Sequence, residues 1–453
     1  MEKSQKEKIF RDAPVGKAVF TLVIPTVLSQ IITVVYNIAD TFFIGQQNDP
    51  DQVAAATVIM PVFIFLTAFA NLFGIGGASA ISRCLGAGDR KRAAGSAAFC
   101  VRSAAVLALV YGMLLFLLKA PLLPLLGANE ASYDYCCEYM LWTVGIGAVP
   151  TVMNVCLSHL VRSEGYSGQA GFGVALGGIL NILLDPVFII VLHLGVGGAA
   201  IATMLSNTAA ALYFVIFLHR IRENTVISFD LRRPVFSAAI AADVLRGGLP
   251  SFIMTLMSTV SNMALNHLVA SLSNEAVAGM GIAKKIDSVA YSIAFGMAQG
   301  VLPLIGFNYA AGNRERTKRC IGVSFFSSIA ISIVGMIMLF FLAPHVVSGF
   351  IGDESTVAYG QHFLRIICLA CPTTAANFMI ITVFQATGAG VRPLILSLLR
   401  KGSLDVPLMF LLYGISGSEG IAWATPAADL LAMITALCMF IPYMKSIEKR
   451  IDT

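Results

Sequence analysis

The sequence contains few charged residues. Asp, Glu, Lys and Arg make up 12% of its 453 residues, whereas hydrophobic residues make up 57%. A soluble domain is typically about 25% charged, so this shortage excludes an ordinary soluble protein. The apolar surplus extends along nearly the whole chain. The composition therefore predicts an all-α polytopic membrane protein rather than a soluble domain with one membrane anchor.

Several signals of bound cofactors and of processing are also missing. None of the six His stands at a metal-ligand spacing from another, and the glycine cluster at 74–80 lies inside an apolar span, where it indicates close helix packing rather than a phosphate loop. Cys368 and Cys371 form a C-x-x-C on a predicted membrane helix and are interpreted as packing residues. The polar, basic N-terminus predicts no cleavable signal peptide. We therefore expect no cofactor and no metal other than a transported Na⁺.

Long apolar runs predict twelve membrane spans. A spanning helix needs about 20 apolar residues, and membrane helices tolerate the Gly and Pro that interrupt many of these runs. The predicted spans lie near residues 15–44, 52–82, 93–119, 131–160, 168–193, 197–219, 243–272, 276–308, 318–344, 355–387, 393–414 and 419–444.

The positions of Lys and Arg predict the orientation of these spans. Basic residues concentrate at the N-terminus and in every second loop, near residues 3–11, 90–92, 162, 220–246, 314–319, 392 and 445–450. The alternate loops contain almost none. By the positive-inside rule, both termini and the basic loops are cytoplasmic. The strict alternation also supports the count of twelve, because a missed helix would have disturbed it.

The second half of the chain repeats the first. Three pairs of similar segments carry the repeat: 24–37 and 249–262, 88–92 and 312–316, and 198–203 and 420–425. Each copy has six spans, so both copies have the same orientation, which predicts parallel repeats with a cavity between two lobes. We predict an N-terminal lobe at residues 1–225 and a C-terminal lobe at 226–453, after a basic cytoplasmic hinge loop at about 220–246.

Two carboxylates interrupt the apolar spans of the N-terminal lobe. Asp40 lies in the first span and Asp185 in the fifth. A carboxylate in the centre of a membrane helix costs about 2.5–3.5 kcal/mol on insertion scales, and such residues usually face a protein interior or an aqueous cavity and serve a function. The repeat places Leu265 opposite Asp40 and Pro407 opposite Asp185. The clear carboxylate pair is therefore predicted in the N-terminal lobe only.

Amides and hydroxyls accompany the two carboxylates at helical spacing. Four helices of the N-terminal lobe each carry such a polar stripe on one face. Their oxygens suit Na⁺, and they suit equally a hydrogen-bond network around a proton-binding carboxyl. For a single amide or hydroxyl, a purely structural role between helices stays open. The predicted N-lobe set consists of Tyr36, Asn37, Asp40, Asn154, Asn181, Asp185, Thr203 and Asn207.

Charged residues in the C-terminal spans are weaker signals. Lys284 and Asp287 lie in the eighth span, and Arg400, Lys401 and Asp405 lie in the eleventh. Lys284, Asp287 or Asn377 could line a C-lobe cavity. Snorkelling of the lysine and a mutual Lys–Asp pair stay open as alternatives.

The chain resembles the multidrug and toxic compound extrusion (MATE) family. The resemblance is carried by Pro25 and by the segments YNIADTFFIG (36–45), LGAGDRKRA (85–93), 162–165 and NILLDPVFII to LGVGGAAIAT (181–203), and it covers essentially all twelve spans. It implies two six-helix lobes that export organic cations and other amphipathic compounds in exchange for H⁺ or Na⁺.

The resemblance also implies roles for individual residues. Those that match the cation or proton site of the prokaryotic DNA-damage-inducible-F-like branch are Asp40, Asn181, Asp185 and Thr203, and those that match its neighbours are Tyr36, Asn37 and Asn154. Other branches place acidic residues in the seventh and tenth spans. Here the approximately equivalent residues are Ser258 and Asn377, so the resemblance implies coupling in the N-terminal lobe.

Residues and resemblance together predict a secondary active antiporter, not an enzyme. We expect it to export amphipathic cationic drugs or toxic organic compounds by alternating access, with H⁺ or Na⁺ as the coupling ion. We expect a multi-pass monomer in a prokaryotic inner membrane, with small molecules and the lipid bilayer as its partners and no nucleic acid. Two alternatives stay open: a flippase for lipid-linked saccharides or cell-wall precursors, and an intramembrane aspartyl protease.

Overall fold

The chain forms a bundle of long helices. The computed structural model describes residues 8–47, 49–229 and 237–449, and every regular element within them is helical. Twelve long helical segments follow one another: α1 (Val15–Gly45), α2 (Pro50–Gly86), α3 (Arg90–Leu117), α4 (Tyr133–Ile146 with Ala148–Ser163), α5 (Ser167–Val191), α6 (Gly195–Arg220), α7 (Ala238–Val269), α8 (Asn274–Ala310), α9 (Arg314–Ser348), α10 (Glu354–Thr387), α11 (Arg392–Leu398, Leu399–Asp405 and Val406–Ser416) and α12 (Ser418–Lys449). A short helix, Lys119–Leu126, follows α3.

Length and composition support the prediction of a polytopic membrane protein. Among the described residues, ten helices are long and apolar enough to cross a bilayer, and α4, which bends by 49° between its two parts, makes eleven. The remaining predicted span is α11. It is helical from Arg392 to Ser416, but its central π-helical segment, Leu399–Asp405, carries three ionisable side chains. Because of these charges, α11 is less apolar than the other spans and is not among the eleven.

Short polar residues determine where many of these helices begin. Five N-cap side chains each accept a hydrogen bond from a backbone N–H in the first turn of α2, α3, α8, α9 or α10: Asp49, Asp89, Ser273, Asn313 and Asp353. Such caps satisfy amide groups that the helix itself leaves without a partner. The loops that precede these capped helices are short, so each capped helix runs antiparallel to the helix before it.

The connection between the lobes is shorter than predicted. α6 ends at Arg220 and α7 begins at Ala238, so residues 238–246 of the predicted hinge loop belong to a helix. Residues 230–236 lie outside the described residues, as do the predicted basic positions at 3–7 and at 450. The lobe boundary between residues 225 and 226 stays a prediction.

The lobes meet where the backbones of α2 and α7 touch. Gly76 of α2 and Gly248 of α7 lie against each other, and a Cβ atom on Gly248 would overlap the carbonyl oxygen of Leu72. Small residues allow this approach in membrane proteins because no side chain separates the two helices. The helix pair α1 and α8 forms a second contact of this kind, where Gly300 packs on Val23.

Polar contacts join the lobes at the same end of the bundle. Arg83 donates to Asp243 (Nη2–Oδ1, 2.6 Å) and to the carbonyl oxygen of Gln385 (3.1 Å). Gln385 in turn donates to the carbonyl oxygen of Gly247 and to the hydroxyl of Ser251, both at 2.9 Å. These contacts lie near the end of α2, the start of α7 and the end of α10, which is the end of the bundle where α1 begins and α12 ends. The lobes are closed against each other there.

Replacing Gly248 with Val should loosen this closure. The new side chain must displace backbone of α2 rather than a flexible side chain, and overpacking of this kind costs about 1–3 kcal/mol. We expect the melting temperature of the purified protein, measured by thermal unfolding in detergent, to fall by several degrees. Gly335→Val on α9 is the control, because a Cβ atom there meets open space. Equal melting temperatures for the two variants would contradict this description of the contact.

Candidate functional site: buried carboxylates in both lobes

Asp185 lies in a small polar cluster between α5 and α6. Its side chain is fully buried, and its Oδ1 accepts a hydrogen bond from Asn181 Nδ2 at 3.1 Å. Asn181 Nδ2 also lies 3.5 Å from Thr203 Oγ1 on α6. Asn181 therefore links three of the four predicted coupling residues, one helical turn from Asp185 on α5 and across the packing of α5 on α6 from Thr203.

Asp40, the fourth predicted residue, lies near this cluster from α1. It is half-buried, and its charge and that of Asp185 are close enough to interact. Two tyrosine hydroxyls, Tyr36 on α1 and Tyr139 on α4, experience the charges of both carboxylates. Tyr139 lies in the first part of α4, outside the predicted polar stripes, and the sequence analysis missed it.

Amide side chains connect the cluster to a neighbouring cavity. Asn154 on α4 donates to Asn207 Oδ1 on α6 at 2.9 Å, and Asn207 donates to the carbonyl oxygen of Thr203 at 3.0 Å. The N-lobe cavity contains about 540 Å³ of space when its opening to solvent is included. Its polar lining consists of Thr33, Tyr36, Thr67, Thr151, Asn154, Asn181, Thr203, Ser206 and Asn207.

Asn37 does not belong to this cavity. The sequence spacing placed it on the face of α1 that carries Asp40, but its side chain is exposed and is absent from the described lining. Adjacent residues of a helix differ in direction by about 100°, so Tyr36 and Asn37 cannot both face the same point. The structure selects Tyr36, and the prediction for Asn37 as a lining residue was wrong.

Many oxygens around the N-lobe cavity have no hydrogen-bond donor. Around this cavity, within the described part of the chain, six buried oxygens are without a partner: Asp40 Oδ1, Thr151 Oγ1, Asn154 Oδ1, Asn181 Oδ1, Asp185 Oδ2 and Ser206 Oγ. Leaving a buried acceptor unsatisfied costs about 1–3 kcal/mol. No Lys or Arg is among the described residues that line the cavity. The site can therefore accept a cation or a proton and lacks its own positive charge.

Local helix irregularity positions Asp185. Pro186 follows it directly, and a π-helical turn, Val187–Val191, replaces the regular helix from there. Proline removes a backbone donor from the helix interior, and π-helical turns occur frequently at functional sites. The C-terminal lobe has a similar helix irregularity, since Arg400, Lys401 and Asp405 lie in the π-helical segment of α11.

The C-terminal lobe contains a cavity of a different character. The C-lobe cavity, with about 360 Å³ of space when its opening to solvent is included, is lined by Lys284, Asp287, Ala290, Tyr291, Ala370, Cys371, Thr374, Arg400, Lys401, Thr425 and Asp429. The predicted lining residues Lys284 and Asp287 both face it. Asn377 does not line it, but is buried behind it and donates to the carbonyl oxygen of Asp429 at 2.9 Å.

The clear carboxylate pair was predicted in the N-terminal lobe only, but the C-terminal lobe also contains buried carboxylates, of which the sequence analysis missed Asp429. Asp405 and Asp429 are both about 1% exposed, and Asp287 lies in the C-lobe cavity with them nearby. The insertion-cost argument used for Asp40 applies equally to Asp429, which follows an apolar stretch of α12. The two lobes differ in how the carboxylate charges are neutralised. Each C-lobe carboxylate has a Lys or Arg close to it, whereas the N-lobe pair has none among the described residues.

The fold and these cavities define a class of protein. Two repeated lobes of membrane-spanning helices, each with a polar cavity, are the architecture of a polytopic membrane transporter. A family model described as MatE matches residues 25–187 and 250–411, one match in each half of the chain. The chain belongs to the MatE family of transporters and is not an enzyme.

Known relatives span the whole chain. The multidrug export protein MepA of Staphylococcus aureus (strain N315) is 28% identical over 451 residues, which cover 100% of this chain and 98% of the relative. A solved outward-facing conformation of a multidrug resistance MATE family transporter of the MOP superfamily is 25% identical, with a TM-score of 0.93 and coverage of 99% of this chain and 100% of that one. A MOP superfamily transporter from Pyrococcus furiosus, for which a reverse polarity of the binding pocket is described as suggesting a different function, matches with 25% identity, the same coverage and a TM-score of 0.90.

Proposed function

We propose that this transporter exports amphipathic organic cations, among them drugs, in exchange for H⁺ or Na⁺. The observation that carries the proposal is the pair of half-buried Asp40 and buried Asp185, each with a buried oxygen that has no partner and with no Lys or Arg beside it among the described residues. A buried charge without a partner is costly, so these carboxylates are best satisfied when a proton, Na⁺ or a cationic ligand neutralises them. The names of the staphylococcal relatives support the same function.

Alternating access supplies the mechanism of the proposal. In the structure the lobes are closed at the end that carries the termini, through Arg83, Asp243 and Gln385. The chain also matches a transporter solved in its outward-facing conformation. Rocking of the lobes would have to break these contacts and expose the cavities to the opposite side. Neutralisation of Asp40 and Asp185 would favour one of the two arrangements.

The charge balance disfavours a flippase for lipid-linked precursors. Such a protein needs excess positive charge to hold a pyrophosphate. The C-lobe cavity does contain three basic side chains, Lys284, Arg400 and Lys401, but three carboxylates lie beside them. The cavity as a whole is therefore close to neutral.

A dye-export experiment tests the proposed function. Bacterial cells that lack their own multidrug pumps are loaded with ethidium and then re-energised, and fluorescence is followed in cells with the transporter and in cells with an empty vector. We expect faster loss of ethidium with the transporter, and we expect this difference to disappear when a protonophore and a Na⁺ ionophore are present together. Equal rates with and without the transporter would argue against drug export.

The proposed orientation predicts opposite labelling of two loops. We expect Gln46→Cys, between α1 and α2, to react with an impermeant maleimide from outside intact cells. Ala87→Cys, between α2 and α3, should react only after permeabilisation, because the positive-inside rule places that basic loop in the cytoplasm. Cys137 and Cys438 are replaced by Ala in both variants, since the other seven cysteines are buried. The reverse labelling pattern would invert the assigned topology.

A further inference from the structure

The charges of the C-lobe cavity are only partly paired with one another. Arg400 is about 1% exposed and forms a two-bond contact with Asp429, with Nε–Oδ1 at 2.7 Å and Nη2–Oδ2 at 2.9 Å. Lys401 Nζ lies 3.0 Å from Asp405 Oδ2, which also accepts from Ser261 at 2.6 Å. Four of the six charges are therefore satisfied within the protein.

Two opposite charges remain without a salt bridge. Lys284 and Asp287 lie about one turn apart on α8 and both line the cavity, but neither forms an ion pair within the described residues. Arg400 Nη1 is a third unsatisfied group. It is buried and has no hydrogen-bond partner among the described residues, while the other guanidinium nitrogens contact Asp429 and Thr374. One carboxylate and two cationic groups thus remain available at the cavity.

Charge balance selects the kind of ligand that fits. With Lys284, Arg400 and Lys401 opposed by Asp287, Asp405 and Asp429, the empty site is close to neutral. A ligand with a single net charge would leave one buried charge uncompensated, which is costly in a medium of low dielectric constant. A ligand with one positive and one negative group keeps the balance and offers a partner to both unpaired side chains.

We propose that the C-lobe cavity binds the head group of a zwitterionic amphipathic compound, with its carboxylate at Lys284 and Arg400 Nη1 and its cationic group at Asp287. The aromatic ring of Tyr291 and the side chain of Cys371 supply apolar surface beside these charges. The inference rests on the proposed drug-export function and assigns carboxylate-bearing zwitterions a binding site in the C-terminal lobe.

The two lobes then differ in the ligands they accept. The N-lobe cavity, with Asp40 and Asp185 nearby and no Lys or Arg in its described lining, takes a proton or cation. The C-lobe cavity, with charges of both signs, binds a zwitterion, whose positive and negative charges cancel. Binding of a zwitterion in the C-terminal lobe therefore leaves the N-terminal carboxylates available for the coupling ion.

A matched pair of dyes tests the inference. Tetramethylrhodamine carries a free carboxylate and is a zwitterion, whereas its ethyl ester is a cation of nearly the same shape. Equilibrium dissociation constants of both dyes are measured by fluorescence anisotropy with the full-length protein in lipid nanodiscs. We expect Lys284→Met to weaken binding of the free acid about tenfold or more, as for loss of a charge-assisted hydrogen bond. Binding of the ester should weaken less than twofold.

Two further variants control the measurement. Lys285→Met removes the neighbouring, exposed lysine of the same helix and should change neither dissociation constant. Lys284→Arg retains the charge and should restore most of the affinity for the free acid. An equal change for both dyes in Lys284→Met, or no change, would overturn the zwitterion site while leaving drug export intact. Failure of the free acid alone to bind the wild type saturably would overturn the inference only, whereas failure of both dyes would overturn the inference and count against the proposed function.

Discussion

Asp185→Asn is expected to reduce dye export to the level of the empty vector. The amide retains the shape of the carboxylate and can still accept the hydrogen bond from Asn181, but it cannot exchange a proton or carry the charge that binds a coupling ion. Removal of a buried charge relieves its desolvation, so the stability of the protein should be unchanged or higher. The loss should therefore appear in transport and not in the amount of folded protein in the membrane.

The control is the same chemical change at a carboxylate outside the cavity. Asp89 caps α3 by accepting a hydrogen bond from the backbone N–H of Arg92 at 2.9 Å, and Asn is an equally good cap. Asp89→Asn should thus export ethidium at the wild-type rate. Export by Asp185→Asn at a rate near that of Asp89→Asn would remove Asp185 from the mechanism.

Asp40→Asn is expected to uncouple substrate binding from the coupling ion. One H⁺ or Na⁺ that enters down a potential of about 100 mV supplies about 2.3 kcal/mol. The transporter can use this energy only if ion binding favours one arrangement of the lobes, because a ligand that binds both equally shifts nothing. Asp40 supplies such a difference if it is charged in one arrangement and neutralised in the other. A cationic substrate and the ion then compete for the same carboxylate pair.

Equilibrium binding of a fluorescent cation measures this competition. In the wild type, we expect a decrease in pH from about 8 to about 6, or an increase in Na⁺, to weaken binding, because protons or Na⁺ neutralise the carboxylates that attract the dye. Asp40→Asn should lose most of this dependence. Asp353→Asn changes the N-cap carboxylate of α10 and should retain it. If Asp40→Asn responds to pH and Na⁺ as fully as the wild type, the coupling residue lies elsewhere.

The signals in the N-terminal lobe were local. Asp40 and Asp185 stand alone in apolar runs, so the insertion cost singled out both carboxylates, and helical spacing placed Asn181 one turn from Asp185. The same spacing could not decide between Tyr36 and Asn37, since the rotation of α1 depends on its packing against α5 and α8. That packing depends on contacts between distant segments, which one sequence does not specify.

The C-terminal lobe was harder to predict because its charges act as pairs across helices. Arg400 on α11 meets Asp429 on α12, and the family resemblance directed attention to Ser258 and Asn377 instead. In sequence, Arg400 and Lys401 resemble lysines and arginines that reach the membrane surface. Their burial follows from the π-helical segment Leu399–Asp405, which periodicity calculated for a regular helix cannot anticipate.

Gradient-driven transport in sealed proteoliposomes tests the central claim most directly. The purified transporter is reconstituted, and tetramethylrhodamine ethyl ester is supplied at equal concentration on both sides. A pH gradient or a Na⁺ gradient is then imposed with the membrane potential clamped. We predict that at least one of the two gradients drives net movement of the dye against the flow of the ion, and that Asp185→Asn abolishes this movement. Wild-type vesicles in which neither gradient moves the dye, or Asp185→Asn vesicles that accumulate it as the wild type does, would contradict the account.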